Sequence, residues 1–268
     1  MNPRRADPPA PYVGITGTLS VHDARLLGEL AVQFRGWAPE YRLMAALLVG
    51  AGQSRRGWER IDDPSLRAVM EILAATGPPL CVAVHLSPES RTTLANQIED
   101  VCAALPRSSA LQVNAVRPDP NVLRMLRRDR PDVEIIIQAN RRSLEQLTAA
   151  AVVSFASAYY GIASHVLLDF SEGRQIPFDV EWTADCLRTC QPEWRRHRVR
   201  AGVAGGLGPD CGSVLGRLRR TAVDRFSIDA EGRLSSALRS SARGLDPVAT
   251  RGYVRAALEA LNSWSATH

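Results

Sequence analysis

Eight short apolar runs, each followed by a helical pattern, leave this chain of 268 residues few ways to fold. Tyr12–Thr16, Leu43–Val49, Leu80–Leu86, Ala110–Asn114, Val133–Gln138, His165–Phe170, Val199–Ala204 and Asp224–Ile228 read as strands. The segments between them space apolar residues by three and four, the period of a helix with one buried face. Strands that alternate with such helices form parallel sheets, and eight in succession predict a single (β/α)8 TIM barrel over residues 11–268. Residues 1–10, rich in Pro and Arg, read as a disordered lead-in.

Helix starts support the alternation. Asp63-Pro64-Ser65, Ser87-Pro88-Glu89, Asp119-Pro120-Asn121, Gly208-Pro209-Asp210 and Asp246-Pro247-Val248 all place Pro where a first helical turn tolerates it. Ser20-Val21-His22-Asp23 reads as a capping-box start to a helix that turns Leu26, Leu27, Leu30 and Val32 inward.

Charge and composition exclude several functions. The net charge is +5, and all 33 positions counted as Lys or Arg are arginine, so no lysine is present to form a Schiff base. The Arg-Arg pairs at 4–5, 55–56, 127–128, 141–142, 195–196 and 219–220 are scattered, which reads as solvated helix faces rather than a nucleic-acid surface. No apolar run approaches the ~20 residues of a membrane span, and no secretory signal opens the chain. Five cysteines without metal-type spacing, Cys186 and Cys190 among them as helix packing, fit reduced thiols and a cytoplasmic location. A monomer or homodimer is expected.

Barrels of this kind carry their chemistry at the C-terminal ends of the strands. Those ends supply Val13, Thr16, Arg56, His85, Gln112, Asn114, Gln138, Asn140, Asp169, Gly205, Gly206 and the run Asp229 to Gly232. Gly205 and Gly206 end the seventh strand and precede a helix, where backbone amides can cradle an anion. The glycines lack the Gly-x-Gly-x-x-Gly spacing of a dinucleotide site, and nothing argues for a metal, nicotinamide or flavin, so no cofactor is expected.

The same residues resemble the phosphoribosylanthranilate isomerase family. Pro11-Tyr-Val-Gly-Ile-Thr16 is similar to its first strand, Ser54-Arg55-Arg56 to its Ser-Pro-Arg, Leu111-Gln-Val-Asn-Ala115 to its fourth strand, and Leu167-Leu-Asp169 to its sixth. Phe178-Asp179, Ala204-Gly-Gly-Leu207 and Gly244-Leu-Asp-Pro247 continue the likeness towards the C-terminus. The resemblance implies acid–base isomerisation of a small anionic, phosphorylated sugar-type metabolite, with Asp169 as the acid and Arg56 on a carboxylate. The family's strand 1 base is a cysteine, and Val13 stands there; its Ser-Ser-Gly phosphate loop is replaced by Asp229-Ala-Glu-Gly232. Acidic groups beside a phosphate repel it. The departures point to a diverged relative in specialised metabolism.

Each candidate has a plainer reading. Asp169 can cap a loop, His85 can replace the lost base or simply bond one, and Arg56 can belong to a solvated pair. Gln112 and Asn114 can orient a substrate or close a polar layer; Asp229 can be a second acid or a turn residue before Gly232. Cys81, inside an apolar strand, reads as core. Two alternatives to an isomerase stay open: cleavage of a glycosidic or C–C bond, and a non-catalytic metabolite-binding barrel.

Overall fold

The computed structural model describes residues 7–50, 59–60, 63–88, 92–171, 178–235 and 244–262. Eight parallel strands close on themselves: β1 (Tyr12–Thr16), β2 (Arg42–Gly50), β3 (Leu80–Ser87), β4 (Ala110–Val113), β5 (Glu134–Ala139), β6 (His165–Asp169), β7 (Arg200–Ala204) and β8 (Ser227–Ala230). The closure is β8 on β1, with Gly14 opposite Asp229, and β1 on β2. Two residues, Glu59–Arg60, extend the sheet beside the end of β2. The helices alternate with the strands: α1 (Val21–Trp37), α2 (Pro64–Thr76), α3 (Leu94–Ala104), α4 (Pro120–Asp129), α5 (Ala149–Ser157), α6 (Val180–Arg196), α7 (Gly212–Thr221) and α8 (Pro247–Asn262). This is a single (β/α)8 TIM barrel. No helix among the described residues is long and apolar enough to cross a membrane.

The period-2 alternation of the strands divides two cores. Outward residues such as Val13, Ile15, Val166 and Leu168 meet the helices in one large apolar cluster that includes Cys186 and Cys190. Inward residues Tyr12, Met44, Ala46, Ala83, Ala110, Ile136 and Leu167 fill the waist of the barrel. Large and small side chains interlock there: a Cβ on Gly202 would stand 2.8 Å from Leu167 Cδ1. The waist is solid, so the two ends of the barrel are separate polar compartments.

Three of the expected Pro starts open helices, with Asp63, Asp119 and Asp246 bonding first-turn amides. Two do not. Ser87 is still in β3, paired with Gly50, and the next helix begins only at Leu94; Glu89 lies outside the described residues. Asp210 is held by Arg233, so Pro209 belongs to a turn and α7 starts at Gly212. The capping box on α1 forms as expected, yet Val32 is 72% exposed, because it lies on the opposite face from Leu26, Leu27, Leu30 and Phe34. Arg127 likewise departs from a solvated pair: its guanidinium donates to the carbonyls of Ile162 and Val133 and to Ser164 Oγ. Residues 7–10 are tied down, with Pro8 buried and the carbonyls of Pro9 and Ala10 accepting from Arg200 and Arg42.

Candidate active site

Above the waist, the inward alternation continues into polar residues at the strand ends. Thr16, His85, Gln112, Gln138 and Asp229 are all nearly or wholly buried, and Asp169 and Glu231 stand at the rim.

Asp229 is held from three sides. β8 delivers it opposite Gly14, where a Cβ would approach its Oδ1 to 2.6 Å, so only glycine on β1 leaves it room. The Thr16 hydroxyl donates to Oδ1 at 2.9 Å, and Gln112 Nε2 lies 3.5 Å from Oδ2. Burial nonetheless pushes its pKa up to about 7, with the charge of Asp169 adding to the rise and the Thr16 and Gln112 bonds opposing it. Glu231 lies two residues on, the same side by strand alternation. Its enclosure in the mouth, and then the charges of Asp229 and Asp169, push it up to about 7 as well, although 46% of its side chain remains exposed.

Asp169 ends β6. Its Oδ1 accepts the Ser171 N–H and the Ser171 hydroxyl, each at 3.0 Å, so it does cap the following turn as well as facing the mouth. Neighbouring Gly205 takes φ +96°, and a Cβ there would stand 2.9 Å from both Asp169 Oδ1 and Ser171 Oγ. Glycine at 205 thus lets the Asp169–Ser171 turn close against β7. Arg233 braces the adjoining loops, donating to both carboxylate oxygens of Asp210 and to the Gly206 carbonyl.

His85 is buried beside these acids. Gln138 Nε2 lies 3.4 Å from its Nε2, which makes Nε2 the acceptor and leaves the proton on Nδ1, 4.0 Å from Glu231 Oε2. Burial lowers its pKa to about 3, so the ring is neutral near pH 7. That weakens the expectation of His85 as a substitute base: the proton acceptors matched to neutral pH are the carboxyls.

The remaining expectations divide. Asn114 is half-buried one step beyond β4, on the Gln112 side of the alternation. A Cβ at Gly232 would meet nothing within 4 Å, so no close contact requires glycine there. Arg56 lies outside the described residues. Val13 is corrected outright as a mouth position: it points outward into the helix-facing core, and Gly14 and Thr16 are what β1 turns inward. Glu231 and Ser171 are the contributors that sequence reasoning did not assign a role. The Asp-x-Glu spacing from 229 to 231 was the available signal for the first.

Three carboxyls in one mouth, two with pKa values near neutrality, can donate and accept protons at the pH where most enzymes work. The fold recurs among enzymes of different chemistry. No family model and no curated protein matches the chain. Its fold is similar to the catalytic domain of a hyperthermophilic chitinase from Pyrococcus furiosus, with 12% identity, a TM-score of 0.55, and coverage of 96% of this chain and 98% of that one. It is also similar to phospho-2-dehydro-3-deoxyheptonate aldolase from Thermotoga maritima, with 10% identity, a TM-score of 0.56, and coverage of 99% and 73%. At these identities the likeness is one of fold. Among the described residues no cluster of His, Cys, Asp or Glu could hold a metal ion.

Proposed function

We propose that this protein is an acid–base enzyme acting on a small sugar-type metabolite, of the isomerase type that its resemblance to phosphoribosylanthranilate isomerase implies. The observation that carries the reading is the mouth cluster of Asp169, Asp229 and Glu231, with the latter two pushed up to about 7. Asp229 exchanges the proton, and Asp169, oriented by Ser171, is its partner across the mouth. Gln112 supports a hydroxyl-bearing substrate: its Oε1 is buried with no hydrogen-bond partner among the described residues, an acceptor set to receive an O–H. A phosphate or other anionic group on the substrate would be tolerated while Asp229 and Glu231 keep their protons, below about pH 7. Binding of an anionic substrate therefore weakens as pH rises through that value.

The cleavage reading is kept alive by the same cluster, because paired carboxyls of opposite protonation also break glycosidic bonds. One experiment addresses both. Purified protein, Asp169→Asn and Asp229→Asn are each given phosphoribosylanthranilate and a panel of aldoses and glycosides, with ketose formation and sugar release followed separately. Turnover to a ketose that falls at least about a hundredfold in both variants supports the isomerase. Release of free sugar with the same loss transfers the assignment to cleavage. Turnover undiminished in both variants removes the carboxyls from the chemistry.

A further inference from the structure

Where the C-terminal ends of β6 and β7 meet the loop after β5 and the start of α6 lies a cavity of about 240 Å³. That is far above the ~10–15 Å³ needed for one water, so it accommodates a group of several heavy atoms. It adjoins the mouth: Leu168, which lines it, faces outward on β6, but inward-facing Ala204 and Gly205, which abuts Asp169 Oδ1, line it too. Three aromatic rings line it, Phe170, Phe178 and Trp182, with the Phe170 and Trp182 ring centroids 3.5 Å apart.

Two opposite charges line the same cavity. Arg141 sits with its guanidinium carbon 5.9 Å from the Phe170 centroid and pairs with no carboxylate among the described residues. Asp179 caps α6, its Oδ1 accepting the Trp182 N–H at 3.0 Å, and it meets no cation among the described residues. The indole N–H is already spent on the Leu147 carbonyl. Among the described residues the cavity therefore offers a ligand aromatic walls, two hydroxyl side chains, one cation and one anion.

We infer that this cavity is a binding site for an apolar α-amino acid, with its carboxylate on Arg141, its ammonium on Asp179 and its side chain among the three aromatic rings. A simple monoanion would leave Asp179 facing it, and a simple cation would face Arg141; a zwitterion satisfies both. Ser171 lines the cavity and also donates both bonds to Asp169, so an occupant abuts the turn that orients a mouth carboxylate. The cavity shares Ser171 and Gly205 with the rim of the mouth but is not lined by Asp229, and its occupancy is read by binding, independently of turnover.

The test is calorimetric titration of the full chain with L-phenylalanine, its N-acetyl derivative and its amide. Phenylalanine is expected to bind about tenfold more tightly than either derivative. Arg141→Gln should abolish the advantage over the amide, and Asp179→Asn, which keeps a good helix cap, should abolish the advantage over the acetyl compound. Asp229→Asn, in the mouth, should leave phenylalanine binding unchanged whatever it does to turnover. No binding of phenylalanine, equal binding of all three compounds, or loss of binding in Asp229→Asn would each overturn the inference.

Discussion

The barrel has a polar cluster at each end, and the two are opposites. At the N-terminal end Arg42 grips Glu134 with both terminal nitrogens at 2.8 Å, and His165 Nε2 lies 3.0 Å from the same carboxylate. Ser227 then bridges His165 Nδ1 and the Tyr12 N–H. Burial acts to raise Glu134, but the bonds from His165 and Arg42 outweigh it and bring its pKa down to about 2. His165 itself is shifted downward by burial, so it is a neutral donor to Glu134. At the C-terminal end Asp229, buried more deeply than Glu134, has hydroxyl and amide partners but no cation among the described residues, and goes up to about 7. A serine, a histidine and a glutamate in hydrogen-bonding order thus sit at the end where the carboxylate is paired with a cation and Ser227 is wholly buried. The end that holds Asp229 is the one where strand ends and loops can meet a ligand. Residue types alone would nominate the wrong end; partners and access separate them.

The largest effect should come from breaking the matched end. Glu134→Ala strands Arg42 beside a buried histidine, and the pKa shift it removes corresponds to about 3 kcal/mol. Urea unfolding at neutral pH should show a loss of that order, with turnover of the surviving folded protein intact. The wild-type contribution is present above the unfolded pKa of 4.5 and disappears as pH falls through about 2, so the mutant and wild type should converge in strong acid. A loss that persists undiminished at low pH would mean the cluster acts by packing alone.

The opposite sign is expected at the mouth. A carboxyl raised from 3.8 to about 7 gives the folded state its full benefit only below the lower value, and that benefit is lost as pH rises through the upper one. Asp229→Asn, which keeps an acceptor for Thr16, should therefore stabilise the fold near pH 8 and hardly at all near pH 4. Stabilisation that is independent of pH would sink the assignment of a raised pKa. A site that gives up stability for chemistry and a site that only holds the barrel together would then be distinguished by one denaturation series.

Much of this was legible beforehand, for identifiable reasons. The barrel was readable because β/α alternation is a local pattern: apolar runs, helix periods and caps such as Asp63 and Asp119 need no tertiary knowledge. The place of Asp169, Gln112 and Asp229 at the mouth is legible because the C-terminal strand ends of a barrel gather there. Strand phase was not readable at β1, where Tyr12-Val-Gly-Ile-Thr16 is apolar on both faces; hence Val13 was set at the mouth although it points outward. The pKa of His85 was equally hidden, since a histidine after Val-Ala-Val carries no sign of how completely the mouth encloses it. The cavity at the end of β6 joins Arg141, from the β5–α5 connection, to Phe170 and Asp179, from the β6–α6 connection, and these come together only once the barrel is formed.

The smallest expected effect sharpens the comparison most. Arg233 and Asp210 form a bidentate pair like that of Arg42 and Glu134, at 2.6 and 2.9 Å, but their side chains are 46% and 68% exposed. Water screens such a pair, so Arg233→Ala should cost well under about 1 kcal/mol in unfolding experiments. Its place matters more than its strength. Arg233 ties the β8 loop, two residues past Glu231, to the Gly206 carbonyl and the β7 loop. Loosening that brace frees Glu231 from its position near Asp229 and Asp169, whose charges help to raise its pKa. The expected outcome is near-normal stability with the alkaline limb of the pH–rate profile moved to lower pH, because a better-solvated carboxyl gives up its proton sooner. Lys at 233, which keeps the charge but not the fork, should fall between the two. An unmoved profile would place Arg233 with the surface pairs and leave the mouth's acidity to burial alone.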